Sequence, residues 1–332
     1  LIACQQAVNL RAQSISIIIM ETASMLTRTI VAFGNPVYDY IETPSLRTRG
    51  RVLSGCSTNA CLVLSQFGIQ TTLVGRVGVD FYDRFRADIL PHEINADVQL
   101  CAQTGGFRLV YDDYGNRTLD VLGIADSIED VPESCKKSAA IIVGPILGEV
   151  SLDLIQKIRA VCDAPIFLDP QGLLRRIGSG GRIEHFLPDN FEKIAPLCHV
   201  IKANELEAFV LTGIDPRKDS VTAVRRLKSL GCAIAIVTIA EMGSIIDDGS
   251  EIFVIPAYNT QAIDPTGAGD TYMAGFIYAY LLNPDDLYAA GCYGSAVASI
   301  WIEHTGPDVQ VSGDEIIRRT TTLLKLKRRE TP

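Results

Sequence analysis

Ala262-Ile263-Asp264-Pro265-Thr266-Gly267-Ala268-Gly269-Asp270 closes a strand-like region and leads into Thr271–Leu282, a helical pattern rich in Ala, Met and aromatic residues. Small residues at such a junction let the backbone approach a ligand closely. A Gly-Ala-Gly turn feeding a helix start presents unpaired N–H groups and the positive end of the helix dipole. That suits a phosphoryl group gaining charge during transfer. Asp270 stands at the same terminus, placed to accept the proton of an attacking hydroxyl. Taken alone, these residues more often describe a capped helix after a tight turn.

Outward from this junction the chain alternates short β-branched runs with helical patterns. The runs are TIVAFG (29–34), TTLVGRVG (71–78), AAIIVGP (139–145), PIFLDP (165–170), HVIKAN (199–204) and AIAIVTIA (233–240). Each is largely apolar rather than alternating, as parallel strands covered on both faces require. Between them, Ala60, Leu64 and Phe67, and then Leu154, Ile158 and Val161, recur at helical spacing within Ser57–Phe67 and Asp153–Val161. The rhythm predicts an α/β fold, a doubly wound and mostly parallel sheet with helices on both faces. Two stretches break it, Tyr38–Leu53 and about Val98–Leu122, the second carrying the turn signal Asp112-Asp113-Tyr114-Gly115-Asn116. Both read as antiparallel insertions that form a small β lid. With no repeat or low-complexity linker in view, residues 26–332 are expected to form one domain and residues 1–25 an extension outside it.

Composition narrows the function. The chain has 332 residues, 47% hydrophobic and 21% charged, enough to bury a large core. Thirty Lys and Arg against 39 Asp and Glu leave a net charge of -9, which argues against nucleic acid as a partner. The basic run Lys325–Arg329 reads as a solvated helix end. The apolar run Ile15–Ile19 is too short to span a bilayer, so no membrane partner is expected. Nine scattered cysteines without a Cys-x-x-Cys pair read as small buried hydrophobes of a cytoplasmic protein, and the four histidines show no metal spacing. Neither a Gly-x-x-x-x-Gly-Lys-Ser/Thr loop nor a Gly-x-Gly-x-x-Gly after the first strand is present, so P-loop and dinucleotide sites are set aside.

Asp264–Asp270, followed by Thr271-Tyr272-Met273-Ala274-Gly275-Phe276, closely resembles the C-terminal signature of the ribokinase-like carbohydrate kinases, the PfkB family. The resemblance implies a ribokinase-like fold and ATP-dependent transfer of the γ-phosphate to a hydroxyl of a small polyol, whether sugar, nucleoside or cyclitol. A catalytically silent sugar- or nucleotide-sensing module on the same fold is the alternative. Asp270 becomes the catalytic base, and the backbone of Gly267, Ala268 and Gly269 the anion hole.

Further landmarks of the family follow in order. Gly34-Asn35-Pro36-Val37-Tyr38-Asp39 places Asp39 on substrate hydroxyls, where a carboxylate accepts from two vicinal groups at once. Ser54-Gly55-Cys56-Ser57-Thr58-Asn59 is similar to a Gly-Gly-x-x-x-Asn substrate segment with Ser54 for the first Gly, implying contacts from Gly55 and Asn59. Asp112–Thr118 resembles the hairpin over the substrate, from which Arg117 either reaches the ligand or pairs with a lid carboxylate. Lys202-Ala203-Asn204-Glu205-Leu206-Glu207 matches Asn-x-x-Glu, which puts Asn204 beside ATP and Glu207 on Mg²⁺ through water. Thr238 and Gly243, in Val237–Gly243, are placed beside the nucleotide, with Ala240 at a usual Gly position. Asp264 and Thr266 match a monovalent-cation site, which adds K⁺ to ATP and Mg²⁺ as expected cofactors. A homodimer through the lid is a further implication.

The acceptor stays open. Gly34-Asn35-Pro36 is nearest to the adenosine-kinase-like branch, whereas Leu168–Gly172 with Gly144–Leu147 is similar to sugar and cyclitol kinases. A sugar phosphate would call for clustered cations, and only Arg51, Arg76 and Arg117 stand out, so an acceptor without phosphate is favoured.

Overall fold

A computed structural model describes residues 28–112 and 117–326; the expected extension 1–25, the turn residues 113–116 and the end of the basic run lie outside the described residues. The strands in chain order are β1 (Thr29–Phe33), β2 (Val37–Glu42), β3 (Val52–Ser54), β4 (Gln70–Gly78), β5 (Asn95–Cys101), β6 (Gly106–Tyr111), β7 (Arg117–Gly123), β8 (Ala140–Val143), β9 (Ile166–Leu168), β10 (Arg175–Ile177), β11 (Ile183–His185), β12 (Val200–Asn204), β13 (Ile234–Thr238), β14 (Ser244–Asp247) and β15 (Ile252–Ile255). The helices of eight residues or more are α1 (Cys56–Gln66), α2 (Tyr82–Ile89), α3 (Leu152–Val161), α4 (Glu205–Thr212), α5 (Ser220–Lys228), α6 (Ala268–Leu282), α7 (Leu287–Trp301) and α8 (Gly313–Leu326).

Nine strands form one sheet in the order β15-β14-β13-β12-β9-β8-β1-β4-β5. From β13 to β5 every neighbouring pair is parallel, and β14 adds antiparallel pairs with β13 and β15. The apolar runs are explained by burial on two sides. In β1, Ile30 and Ala32 enter one core cluster with α1, α6 and α7, while Val31 and Phe33 enter the other with α3 and α5. A strand with helices on both faces has no solvent side on which to carry polar residues. The expected α/β doubly wound fold is therefore the observed one.

The lid is a separate sheet in the order β3-β2-β6-β7. The pairs β2–β3 and β6–β7 are antiparallel, as expected, but β2 and β6 pair in parallel, Tyr40 opposite Arg108. The cause is topological: both insertions leave parallel strands of the main sheet, β1 and β5, at their C-terminal ends and so set out in the same sense. The second insertion also starts later than expected from residue 98. Val98–Cys101 complete β5, held to β4 as far as Cys101 opposite Gly78, and the lid resumes at Gly106. A hairpin of β10 and β11 touches the lid through a bridge between Asp120 and Arg182. Gly144, Asp169, Asn204 and Thr238 all fall at the C-terminal ends of parallel strands, the side on which such sheets bind ligands.

Candidate active site

The turn into α6 is built around Gly267, which holds φ +81. A Cβ there would lie 2.8 Å from Trp301 Nε1 and 3.0 Å from Asn59 Nδ2, so both the conformation and the space call for glycine. Asp264 Oδ1 accepts from the Thr266 amide at 2.9 Å, and Trp301 Nε1 donates to Thr266 O at 3.0 Å, pinning the turn from both sides. The amides of Gly267, Gly269 and Asp270 have no protein acceptor among the described residues. The Ala268 amide differs, because it donates to Pro265 O at 3.2 Å. Three free amides at a helix N-terminus are the donors that an anion needs, and Ala268 adds shape rather than a donor.

Asp270, in the first turn of α6, is buried, and its two oxygens are held by a helix and a loop respectively. Asn59 Nδ2 donates to Oδ2 at 2.8 Å, and Gln171 Nε2 to Oδ1 at 3.4 Å. Asn59 is aimed by α1, whose N-cap Gly55 adopts φ 121 and accepts the Asn59 amide at 2.7 Å. Gly55 thus shapes the site through its backbone, and Asn59 faces the carboxylate.

Beneath this turn lies a buried ion pair. Lys202 Nζ on β12 is 2.5 Å from Asp169 Oδ2 at the end of β9, both side chains 2% exposed. The ammonium also crowds Gly269, whose Cβ would fall 2.5 Å from Nζ. Burial works against the charge of Lys202, but the carboxylates of Asp169, Glu207 and Asp270 outweigh it and hold its pKa above the ordinary lysine value. Sequence reasoning quoted Lys202 without giving it a task, and its partner lies on another strand. Cys56, Asp169 and Asp270 also bring potential ligand atoms within 4.8 Å of one another. Burial, then Asp270 and Asp169, push the Cys56 thiol up, so it stays protonated and inert.

Asn204 and Glu207 form a capping box on α4. Glu207 N donates to Asn204 Oδ1 at 2.9 Å, and the amide and side chain of Asn204 donate to the two Glu207 oxygens at 2.8 and 2.7 Å. Burial, then the charge of Asp169, push the Glu207 carboxyl up to about 7. Thr238 is the cross-strand partner of Asn204. Gly243 closes the next turn with φ 90, and Ala240 holds φ 41, which accounts for the glycine usual there.

At the lid end, Asp39 accepts from the Phe107 amide at 2.7 Å and is buried, which pushes its carboxyl up to about 6. Arg175, overlooked in the sequence, reaches in from β10. It is 6% exposed and bonds Gln171 Oε1 at 2.7 Å and Ile146 O at 3.2 Å. Arg117 on β7 stands opposite Tyr111, whose hydroxyl is 3.0 Å from Thr266 Oγ1, so the lid rests on the α6 turn. Burial, then Arg175 and Arg117, pull His185 down to about 4, so it is neutral near pH 7. Arg51 and Arg76 are spent on backbone carbonyls of Tyr38 and Ser127.

Residues 28–312 match the family profile described as pfkB family carbohydrate kinase. The chain belongs to this family. It is 29% identical to a nucleoside kinase of Methanothermobacter thermautotrophicus over 89% of this chain and 96% of that one. An inositol 3-kinase of Arabidopsis thaliana is 26% identical over 88% of this chain and 80% of its own. Among solved structures, a pyrophosphate-dependent kinase in the ribokinase family complexed with a pyrophosphate analog and myo-inositol superposes with TM-score 0.74. It is 21% identical and covers 85% of this chain and 97% of that one. The fold of these ribokinase-family neighbours is the fold observed here. Membership makes this chain a carbohydrate-kinase homologue, a family with nucleoside and inositol kinases among its relatives. No helix among the described residues is long and apolar enough to cross a membrane.

Proposed function

We propose that the chain moves the γ-phosphate of ATP to a hydroxyl of a small polyol, a sugar, nucleoside or cyclitol, with Asp270 as base. The observation that carries this is the meeting of the Asp270 carboxylate with the free amides of Gly267, Gly269 and Asp270 at one helix start. A hydroxyl bound there can lose its proton to Asp270 while the amides take the charge on the equatorial phosphoryl oxygens. Asp39 grips the acceptor at the far end, and Asn59 steadies the base. The lid, resting on Thr266 through Tyr111, excludes water, and its open face is where a homodimer would form.

ATP would lie over Asn204, Thr238 and Gly243, beside the Lys202 cation. Mg²⁺ fits through water: each Glu207 oxygen accepts one bond from Asn204 and keeps acceptor capacity for a hydrated ion. A monovalent cation such as K⁺ fits behind the turn, where the buried Asp264 carboxylate has no ion-pair partner among the described residues and the buried Thr305 hydroxyl stands beside it.

A coupled ADP-release screen over nucleosides, sugars, sugar acids and inositols with Mg²⁺ tests the reading. A parallel arm uses pyrophosphate as donor and reads phosphate release, because one structural neighbour is pyrophosphate-dependent. Turnover that survives Asp270→Asn would sink the role of Asp270, and silence with every pair would favour the sensing module.

A further inference from the structure

Gln171 and Arg175 have no task in the proposed reaction, yet both are buried, 9% and 6% exposed. The Gln171 amide donates to Asp169 Oδ1 at 3.1 Å, which holds the loop after β9 against the site. Its side chain bridges two groups of opposite need. The Oε1 end accepts from Arg175 Nη2 at 2.7 Å, and the Nε2 end faces Asp270 Oδ1 at 3.4 Å. A guanidinium only donates and a carboxylate only accepts, so the amide has one workable orientation. Turning it over would set NH₂ against guanidinium and carbonyl against carboxylate.

Arg175 is itself fixed. Nη1 donates to Ile146 O at 3.2 Å and the guanidinium lies 5.8 Å from the Phe107 ring, while the Phe107 amide binds Asp39. Its Nε is buried without a partner among the described residues. Arg175 therefore sits between the acceptor anchor and the base with no carboxylate bonded to it among the described residues.

We propose that Gln171, its side-chain amide locked by Arg175, is a positioning residue that aims the Asp270 carboxylate at the acceptor hydroxyl. The proposal rests on the reading of Asp270 as base. Asn59 holds one oxygen and Gln171 the other, so two neutral amides fix the plane of the carboxylate without an ion pair to quench its basicity. The planar fork of arginine supplies two bonds in a set geometry, which a lysine ammonium does not.

Two measurements on the full chain test it. The first needs no turnover: the Gln171 side-chain amide resonances, assigned by their loss in Gln171→Leu, should exchange slowly with water. Exchange should quicken in Arg175→Met and in Asp270→Ala. Fast exchange in the wild type, or none of this quickening, overturns the lock. The second is steady-state kinetics with ATP, Mg²⁺ and whichever of ribose, cytidine and myo-inositol turns over fastest. Gln171→Leu should lower kcat about 10- to 100-fold, the scale of a misplaced reacting group, with both KM values within about twofold. Arg175→Met should do the same, and the double variant should be no worse than the poorer single one. Multiplying losses, or a change confined to KM, would overturn the proposal; melting curves confirm that each variant folds. If the wild type turns over no acceptor in the wider screen with either donor, the kinase reading fails while the exchange result still judges the lock.

Discussion

Lys202→Met tests the buried pair at the centre of the site. The substitution leaves the Asp169 carboxylate 2% exposed and strips away an ammonium at 2.5 Å. Removing one member of such a pair costs about 3–5 kcal/mol, most of it the penalty of an uncompensated buried charge. For a chain of 332 residues, about 2.1 cal/mol/K per residue gives a melting entropy near ~0.7 kcal/mol/K, so the expected fall in Tm is about 4–7 °C. Asp169→Asn/Lys202→Met removes both charges and should recover more than half of that loss. The sign with pH follows from the raised pKa of Lys202. A base whose pKa is higher folded than unfolded lends stability that is full below its unfolded value and fades only as pH climbs through the folded one. The gap between wild type and Lys202→Met should therefore persist from about pH 7 to about pH 10. Circular-dichroism melts without nucleotide measure all of this. A Lys202→Met protein melting within about 1 °C of wild type, or a double variant worse than the single, would refute the argument.

Other tests reach the rest of the site. Because burial pushes the Asp39 carboxyl up to about 6, the acceptor KM should rise as pH falls below about 6 and protonated Asp39 loses its grip on hydroxyls. Asp39→Asn should show a high KM without that dependence; the sign for stability is opposite, since ionising this buried acid costs stability as pH rises through about 6. Gly267→Ala forces a side chain into φ +81 and against Trp301 Nε1, so it should cost about 1–2 kcal/mol in a denaturant melt and lower kcat more than acceptor KM. ADP release should be faster in K⁺ than in tetramethylammonium, and Thr305→Val, which removes the buried hydroxyl beside Asp264, should weaken that preference.

The sheet was legible because each parallel strand is buried on both faces and so writes an unbroken apolar run into the sequence. The lid was legible in outline. Its second boundary was misplaced because β5 is an edge strand whose residues 95–99 alternate between exposed and half-buried, and so it looks like lid. The local half of the site, the α6 turn with Asp270, was readable because turn, dipole and carboxylate are contiguous. What holds Asp270 was not, because Asn59 lies 211 residues away and Gln171 lies 99 residues away. Asp169 and Lys202 likewise meet only because β9 and β12 are neighbours in the sheet. Arg175 gave no signal, since one arginine after Asp169-Pro170-Gln171-Gly172 reads as a surface residue until the hairpin of β10 and β11 turns it inward.

Capping and ligand binding, set against each other in a sequence, are not rivals once geometry is known. A helix start at the C-terminal edge of a parallel sheet has free amides that must find partners. A side chain that satisfies them necessarily stands where an anion or hydrated cation would arrive. Asn204 and Glu207 cap the start of α4 with a reciprocal box that occupies the amides of both. The start of α6 is left open, its Ala268 amide withdrawn to Pro265 and those of Gly267, Gly269 and Asp270 without an acceptor among the described residues. On the proposed reaction two neighbouring helix starts would divide the work: the capped one holds a fixed carboxylate for a metal's water shell, and the open one offers bare N–H groups to a phosphoryl group. Closing α6 in the same way, with a side-chain acceptor at Gly267, would gain a cap and lose the anion site, which is why the more stable helix start is the wrong one there.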